Sequence, residues 1–168
     1  MTNIKYVIQN KIDPSVHTIS PDASIHEAIS LMTNKDIGAL IVTQEQRVVG
    51  ILSERDCARK MLKHQFLTEE TQVRELMTAE VITIQLEHTV KDSLKLMTDH
   101  HLRHLPVLEQ EQLVGMVAVG DLVKAIIEDQ HDLIQQLENY IENFGDLADA
   151  TIKDQQNLIQ QLQSYDRQ

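Results

Sequence analysis

The chain contains an internal repeat, and this feature constrains its fold more than any other. Residues 16–62 align with residues 81–127 at a constant offset of 65, without a gap. Chance does not maintain a register over that length, and a long period with only two copies indicates a duplicated small unit, not an open solenoid. Each copy alone would bury a thin hydrophobic core, so we expect the two copies to pack together.

Each copy is predicted to contain the elements β-α-β-β-α, which makes the fold class α/β (α+β) with two pseudo-symmetric halves. A capping box, Ser24 with Glu27, marks the start of the first helix in the first copy, and Thr89 with Asp92 is its capping pair in the second. Apolar runs indicate the strands, and helical spacing of apolar residues indicates the helices. The predicted elements are 16–20, 24–33, 37–43, 48–52 and 53–63 in the first copy, and 81–84, 89–98, 105–108, 113–117 and 120–128 in the second.

The segments around the two copies complete the domain organisation. Apolar and aromatic residues at Ile4, Tyr6, Val7 and Ile8 predict a short helix or strand that packs on the repeats. The predicted segments are a lead-in at 1–15, repeat domains at 16–63 and 78–127, a linker at 64–77 that ends in a helical turn, and an acidic helical tail at 128–168.

Composition argues against several classes of function. The net charge is −11, from 15 basic and 26 acidic residues, whereas a nucleic-acid-binding protein needs a basic face and anionic membranes repel an acidic chain. No segment resembles a signal peptide or a membrane span, so a cytoplasmic location is expected. One cysteine, Cys57, excludes an internal disulfide and fits a reducing compartment. Its two interpretations are a buried small residue, which we favour, and a thiolate at a helix start.

Residues 50–56 and 115–121 each end a predicted strand and begin a helix. Ser53 stands at the N-cap and Asp56 one turn later, so both side chains project at the strand–helix junction. Backbone N–H groups at a helix start attract anions, and a carboxylate beside them can accept two hydroxyls, as a ribose would offer. Gly50 would let backbone or ligand approach closely. The alternative is an ordinary N-cap with a first-turn acid.

Several motifs together give the chain a resemblance to a known family. They are Thr18-Ile19-x-Pro21 and Thr83-Ile84 on the first strands, Leu-Met pairs on the first helices, Leu-Arg-His-Leu-Pro-Val at 102–107, and both Gly-h-h-x-x-x-Asp ends, where h is apolar. The duplicated set resembles a tandem pair of cystathionine-β-synthase (CBS) domains, the Bateman module, over roughly residues 3–127. The closer likeness is to small bacterial stand-alone CBS-pair proteins.

The resemblance implies that adenosine nucleotides bind in two clefts between the copies. In the family pattern the Asp accepts the ribose hydroxyls and a Ser or Thr helps to hold phosphate. The first copy matches with Ser53 and Asp56, whereas the second keeps Asp121 but has Ala118 at the hydroxyl position. The implied nucleotide-binding residues are Val16, His17, Thr18, Ile37, Gly38, Ala39, Ser53, Arg55, Asp56, Val81, Thr83, Arg103, His104, Leu105, Pro106 and Asp121.

The residue types at these positions suit a nucleotide. The resemblance implies that adenine lies against the first and second strands of a copy, where Pro106 leaves a strand edge unpaired because it has no N–H to donate. Arg103 offers a planar fork for phosphate oxygens, and His104 could add pH sensitivity near neutrality. The alternative for Arg103 and His104 is a solvated loop or a salt bridge.

The resemblance implies a regulatory, signal-transduction function without catalysis. AMP is the foremost implied ligand, with ATP, ADP or NAD(H) as alternatives, and no catalytic cofactor is expected. The protein would sense energy or redox ligands and modulate an unidentified partner protein as a homodimer. No phosphate loop or nucleophile elbow favours an enzyme. The spacing of His100 and His104 suits zinc only on a continuous helix, so no metal site is predicted. The alternative function is a structural adaptor with vestigial clefts that acts through its tail.

The acidic tail carries an apolar stripe at helical spacing, which includes Leu133, Leu137 and Phe144. Residues 154–162 resemble residues 129–137 at an offset of 25, and Gly145 could cap a helix between them. The tail is therefore predicted to form two similar helices, which allows a helical hairpin. The stripe is expected to pack on the repeats, a partner or, preferentially, a second copy of the chain.

Overall fold

The computed structural model describes residues 2–64 and 70–165, with side chains except those of residues 61–64 and 159–165. The chain divides into two units, Met1–Ile126 and Ile127–Gln168. The first unit holds both sequence copies and the second holds the tail. Part of the predicted linker, residues 65–69, and the last three tail residues lie outside the described residues.

The first unit has the predicted mixed α/β architecture, with the same element order in each copy. The elements are α1 (Ile4–Gln9), β1 (Thr18–Ile19), α2 (Ile25–Lys35), β2 (Ala39–Gln44), β3 (Arg47–Ser53), α3 (Glu54–His64), α4 (Val73–Leu76), β4 (Ile84–Gln85), α5 (Val90–Asp99), β5 (His104–Glu109), β6 (Gln112–Ala118) and α6 (Val119–Tyr165). The predicted caps are present, since Ser24 and Glu27 form a capping box on α2 and Thr89 accepts the Asp92 N–H on α5. The predicted fold class is confirmed.

Each copy forms a three-stranded sheet, in the orders β1-β2-β3 and β4-β5-β6. The first two strands of each sheet are parallel and the last two antiparallel. The first strands are shorter than predicted, and β1 and β4 have two residues each. In the second copy Pro106 has no N–H to extend the ladder. In the first copy the equivalent Ile41 N–H donates to the His17 carbonyl at 3.3 Å, outside the strand.

The two hairpins β2–β3 and β5–β6 turn through left-handed residues that are not glycine. Glu45 and Gln46 have φ angles of 49° and 67°, and Gln110 and Glu111 have φ angles of 49° and 66°. Positive φ at both positions is the pattern of the type I′ hairpin turn, for which Asn-Gly is the usual sequence. Each turn therefore carries local backbone strain, which the paired strands hold in place.

Glycine at the second turn position is expected to stabilise the protein. Gln46→Gly and Glu111→Gly should each raise the free energy of unfolding by roughly 0.5–1 kcal/mol, because the left-handed conformation costs other residues about 1–2 kcal/mol and the entropy of unfolded glycine offsets only part of that. Urea denaturation measures the change. Gln44→Gly, in the neighbouring strand, is the control and should be destabilising.

The hydrophobic core consists of two clusters, and the leading segments are exchanged between them. Helix α1 precedes the first copy, yet Ile4 and Val7 pack with Leu105 and Leu122 of the second copy. Conversely, α4 precedes the second copy and packs in the cluster of the first. The lead-in therefore forms a helix. The core of each copy is completed by the segment that precedes the other copy.

The predicted interruption of the tail is wrong, because α6 runs from Val119 to Tyr165 as one helix. No glycine has positive φ among the described residues, so Gly145 does not cap a helix. A glycine in a helix interior costs only about 1 kcal/mol, and the chain has no proline after Pro106 to stop the helix. Within the second unit, the described residues 127–165 all belong to α6. Among the described helices, none combines the length and apolar character that a bilayer span requires.

Candidate functional site

A cavity of about 260 Å³ lies where the β3–α3 junction of the first copy meets the start of the second copy. We call it the Asp56 cleft. Its lining residues are Gly38, Ile51, Ser53, Glu54, Arg55, Asp56, Arg59, Thr78, Glu80, Val81, Ile82, His101, Leu102, Arg103 and His104. The cleft is therefore built from both copies and from the segment between them, all within the first unit.

The first turn of α3 orients the carboxylate of Asp56 in this cleft. The Ser53 Oγ accepts the backbone N–H of Asp56 at 3.1 Å, as an N-cap does. The same hydroxyl donates to Oδ2 of Asp56 at 2.6 Å. Within the described part of the chain, Oδ1 of Asp56 has no hydrogen-bond partner. One carboxylate oxygen is thus held in place while the other remains available as an acceptor.

Backbone hydrogen bonds fix the loops that face Asp56. The Glu54 N–H donates to the Gly38 carbonyl at 3.1 Å, and the equivalent bond in the second copy runs from the Val119 N–H to the Arg103 carbonyl at 2.9 Å. A Cβ added at Gly38 would lie 3.9 Å from Cε1 of His104. Gly38 and His104 therefore face each other across the cleft, and both loops are tied to the start of a helix.

The cleft concentrates positive charge in an acidic chain. Arg55, Arg59 and Arg103 line it, and none of the three has an ion-pair partner among the described residues. Arg55 and Arg59 are four residues apart on α3, so their side chains lie on one face of the helix. Glu54 and Glu80 also line the cleft, so cations and carboxylates are both within reach of a ligand.

His104 is a half-buried titratable residue of the cleft. Burial lowers the pKa of its ring. Asp121 and Asp56 act in the opposite direction, whereas Lys11 and Arg103 lower the pKa further. The ring therefore prefers the neutral form in the folded protein, in which one nitrogen donates and the other accepts a hydrogen bond.

The lowered pKa of His104 predicts a loss of stability in mild acid. An unfolded histidine titrates near 6.5, so as the pH falls below about 6.5 the unfolded state takes up a proton that the folded state resists. The free energy of unfolding should therefore fall with pH in this range, and His104 contributes no such dependence well above it. Denaturation from pH 7.5 to 5.5 should show a smaller fall in His104→Gln than in the wild type, and equal falls in the two proteins would contradict this role of His104.

The second Gly-h-h-x-x-x-Asp end is already occupied by the chain itself. Lys11, between α1 and β1, places Nζ 3.0 Å from Oδ2 of Asp121 and donates to the Met116 carbonyl at 3.0 Å. Oδ2 of Asp121 also accepts the Ala118 N–H at 2.8 Å. The carboxylate that corresponds to Asp56 thus has an internal cation, which the repeat alone did not predict.

The predicted site residues divide into two groups. The Asp56 cleft contains Gly38, Ser53, Arg55, Asp56, Val81, Arg103 and His104. Outside its lining lie Val16, His17, Thr18, Ile37, Ala39, Thr83, Leu105, Pro106 and Asp121. Ala39, Leu105 and Pro106 are buried, and Thr83 lines a separate depression with Arg47 and Val48. The strand interiors fall in the second group because buried strand side chains pack into the core.

Several lining residues were not predicted. Arg59 could have been found from its spacing to Arg55 on one helix face. Thr78 and Glu80 enter because Ile51 and Thr78 form a backbone bridge, with hydrogen bonds of 3.0 and 2.9 Å. No sequence signal indicates that bridge. The other residues that were missed are Ile51, Glu54, His101 and Leu102, whereas Ile82 lies in the strand segment expected to contact the adenine.

The equivalent glycines of the two copies, Gly50 and Gly115, have a packing role that differs from the predicted one. A Cβ at Gly50 would lie 2.4 Å from Sδ of Met77, and a Cβ at Gly115 would lie 2.6 Å from Cδ1 of Ile8. These glycines therefore admit side chains of the exchanged leading segments, not a ligand.

The sequence raised two further kinds of chemistry, a reactive thiolate at Cys57 and a metal site formed by histidines. Cys57 is 3% exposed, and burial, followed by the charge of Asp56, raises the pKa of its thiol. The thiolate interpretation is therefore wrong and the buried one correct. In the described part of the chain, no group of three His, Cys, Asp or Glu side chains is arranged to hold a metal ion.

Fold and site together define a class of protein, a duplicated α/β module with a cleft between its copies. A family model described as "CBS domain" matches residues 8–63 and 73–128. The chain therefore belongs to the CBS domain family, as a tandem pair.

Individual proteins agree with this assignment. The CBS domain-containing protein YhcV of Bacillus subtilis is 35% identical over 115 residues, which cover 68% of this chain and 81% of that protein. A solved structure of a protein with CBS domains from Burkholderia ambifaria is 37% identical, with a TM-score of 0.73, and the match covers 77% of this chain and 96% of the other. The CBS domain pair of MJ0100, solved with 5′-methylthioadenosine and S-adenosylmethionine, shares the fold at 24% identity with a TM-score of 0.67, over 77% of this chain and 98% of the other.

Proposed function

We propose that this protein is a non-catalytic regulatory module that binds an adenine nucleotide, AMP foremost, in the Asp56 cleft. The observation that carries the proposal is the position of Asp56, whose carboxylate faces the same cavity as three arginines without ion-pair partners among the described residues. A nucleotide joins a diol to an anion, so it needs both groups within one cavity.

The ribose is proposed to lie against Asp56. Ser53 holds Oδ2 of the carboxylate, so Oδ1 can accept the hydroxyl of a sugar without breaking an existing contact. A hydrogen bond to a charged group contributes about 1.5–3 kcal/mol. The carboxylate would repel a bare phosphate, so this part of the cleft favours the sugar and leaves the anion to the arginines.

The phosphate is proposed to lie between α3 and the loop before β5. Arg55 and Arg59 approach it from α3, and Arg103 from the opposite copy. Guanidinium groups suit phosphate because two parallel N–H donors match two oxygens. The cavity of about 260 Å³ is slightly below the roughly 300–1,000 Å³ of common ligand pockets. A mononucleotide therefore fits best, and the extra phosphates of ATP would extend toward the exposed side chain of Arg59.

The adenine is proposed to lie between the apolar side chains of Val81, Ile82 and Leu102 and the open face of Gly38. In the first copy the Ile41 N–H donates to the His17 carbonyl, whereas Pro106, at the equivalent place in the second copy, cannot donate to Ile82. The Ile82 carbonyl is thereby left to accept a hydrogen bond from the exocyclic amino group of a base. Within the same fold, the MJ0100 domain pair holds adenosyl compounds.

We further propose that one nucleotide binds per chain, because Lys11 neutralises Asp121. Lys11→Ala should therefore expose a second, weaker site, and the number of AMP molecules bound per chain should rise from one toward two. Titration calorimetry measures this number, and the double variant with Asp121→Ala should return it to one. Two molecules bound to the wild type would refute the role of Lys11.

A nucleotide titration distinguishes the regulatory function from the adaptor function. The full chain is titrated calorimetrically with AMP, ADP, ATP and NADH, with CMP as the control for the base, and the recovered nucleotides are analysed by chromatography. We expect the adenine ligands to bind, CMP to fail and every nucleotide to be recovered unchanged. Chemical conversion would indicate an enzyme. The absence of binding at millimolar concentration would favour an adaptor, for which the exposed apolar side chains of the tail are the supporting observation.

A further inference from the structure

The second unit presents an apolar stripe that nothing in the described chain covers. Leu133, Leu137, Tyr140, Phe144 and Leu147, which we call the tail stripe, are 53–68% exposed. Ile134 and Ile141 flank the stripe and are 53% and 68% exposed. The family model ends at residue 128, so the stripe is not part of the CBS domains.

The spacing of the tail stripe is that of a helix which packs along another helix. Its residues follow one another at intervals of four, three, four and three. This alternation gives a seven-residue period, which keeps one face toward a neighbouring helix over several turns. The rings of Tyr140 and Phe144 stack along the helix with centroids 6.4 Å apart, so the stripe has a continuous surface before any partner binds.

Charge indicates which partner fits. Between residues 130 and 151 the charged side chains are all acidic: Asp132, Glu138, Glu142, Asp146 and Asp149. At about 100° per residue, each lies about 100° or more around the helix from the centre of the tail stripe. The positions that flank the stripe, which set partner choice in paired helices, carry uncharged residues. They are Ile134, Gln136, Ile141, Asn143, Ala148 and Ala150.

We infer that the tail stripe binds the tail stripe of a second copy of this chain. Two acidic helices can associate by this face because their carboxylates point away from the contact, whereas a basic partner helix would find no acid beside it. The stripe and its flanking isoleucines present seven apolar side chains, each at least 53% exposed, that a second copy would cover. This inference does not depend on nucleotide binding in the Asp56 cleft.

The test is the reactivity of single cysteines in the full chain. Phe144→Cys places a thiol on the tail stripe and Asp146→Cys places one on the opposite face, while the native Cys57 is 3% exposed and gives the background. At high micromolar protein concentration, maleimide should label Cys at 144 at least about tenfold more slowly than Cys at 146, a protection of 1.4 kcal/mol. Dilution should remove the protection, since it depends on a second copy.

A charge variant completes the test. Adding Leu137→Glu to Phe144→Cys should abolish the protection, whereas Asn139→Glu, which adds the same charge outside the stripe, should preserve it. Circular dichroism confirms that each variant is folded. Equal labelling at the two positions would overturn the inference. Protection in a chain that sediments as a 19.2 kDa monomer would also overturn it, because the stripe would then be covered by its own chain.

Discussion

Replacing Asp56 by Ala is expected to weaken adenine nucleotide binding by about 1–3 kcal/mol, the range for removing the partner of a charged hydrogen bond. The structural reason is that Asp56 offers Oδ1 to the ribose while Ser53 holds Oδ2. The Ser53 cap on the backbone N–H of residue 56 remains in the variant, so α3 should still form. Titration calorimetry with AMP measures the loss.

Two controls separate the ribose contact from a general effect on the cleft. Asp121→Ala removes the equivalent carboxylate of the other copy, which Lys11 already occupies, and should leave the affinity of the Asp56 cleft unchanged. Deoxyadenosine monophosphate, which lacks one hydroxyl, should bind the wild type more weakly than AMP but bind Asp56→Ala with little further loss. An Asp56→Ala protein with wild-type AMP affinity would rule out the ribose contact.

The second large effect is expected far from the cleft, at Ile4. This residue precedes the first copy but is 0% exposed in the core of the second. Its N–H also donates to the His88 carbonyl at 2.9 Å, so the segment is fixed by backbone as well as side chain. Ile4→Ala should lower the free energy of unfolding by about 2–5 kcal/mol, since it leaves a cavity in a closed core. That is a large fraction of the total stability of a typical domain, about 5–15 kcal/mol.

Ile12→Ala is the matched control for Ile4→Ala. Ile12 lies in the same lead-in segment but is 96% exposed, and surface substitutions usually change stability by less than about 0.5 kcal/mol. Urea denaturation of both variants tests the exchange of leading segments. If Ile4→Ala is no more destabilising than Ile12→Ala, the lead-in does not belong to the core of the second copy.

Sequence reasoning predicted the features that depend on local chemistry or on the repeat. The caps at Ser24 and Thr89 depend on residues three apart, and the repeat requires that both copies have the same sheet. Exchange of the leading segments could not be predicted, because the apolar residues of α1 and α4 suit the core of either copy. The ion pair of Lys11 with Asp121 joins residues far apart in sequence, and nothing near Lys11 indicates it.

The tail shows where a local signal misleads. The similarity of residues 154–162 to residues 129–137 and the glycine between them suggested two helices. A glycine ends a helix where it adopts the left-handed conformation and the chain turns away. In the described chain no such turn forms at Gly145, and the helix continues through it. The predicted apolar stripe is present. On one continuous helix it is exposed, so no second helix of the described tail covers it.

The most direct test of the account is a crystal structure of the full chain grown with millimolar AMP. We predict one nucleotide per chain in the Asp56 cleft, with its ribose hydroxyls on Asp56, its phosphate beside Arg103 and the ion pair of Lys11 with Asp121 intact. An empty Asp56 cleft, or AMP bound at another surface without contact to Asp56, would contradict the proposed function.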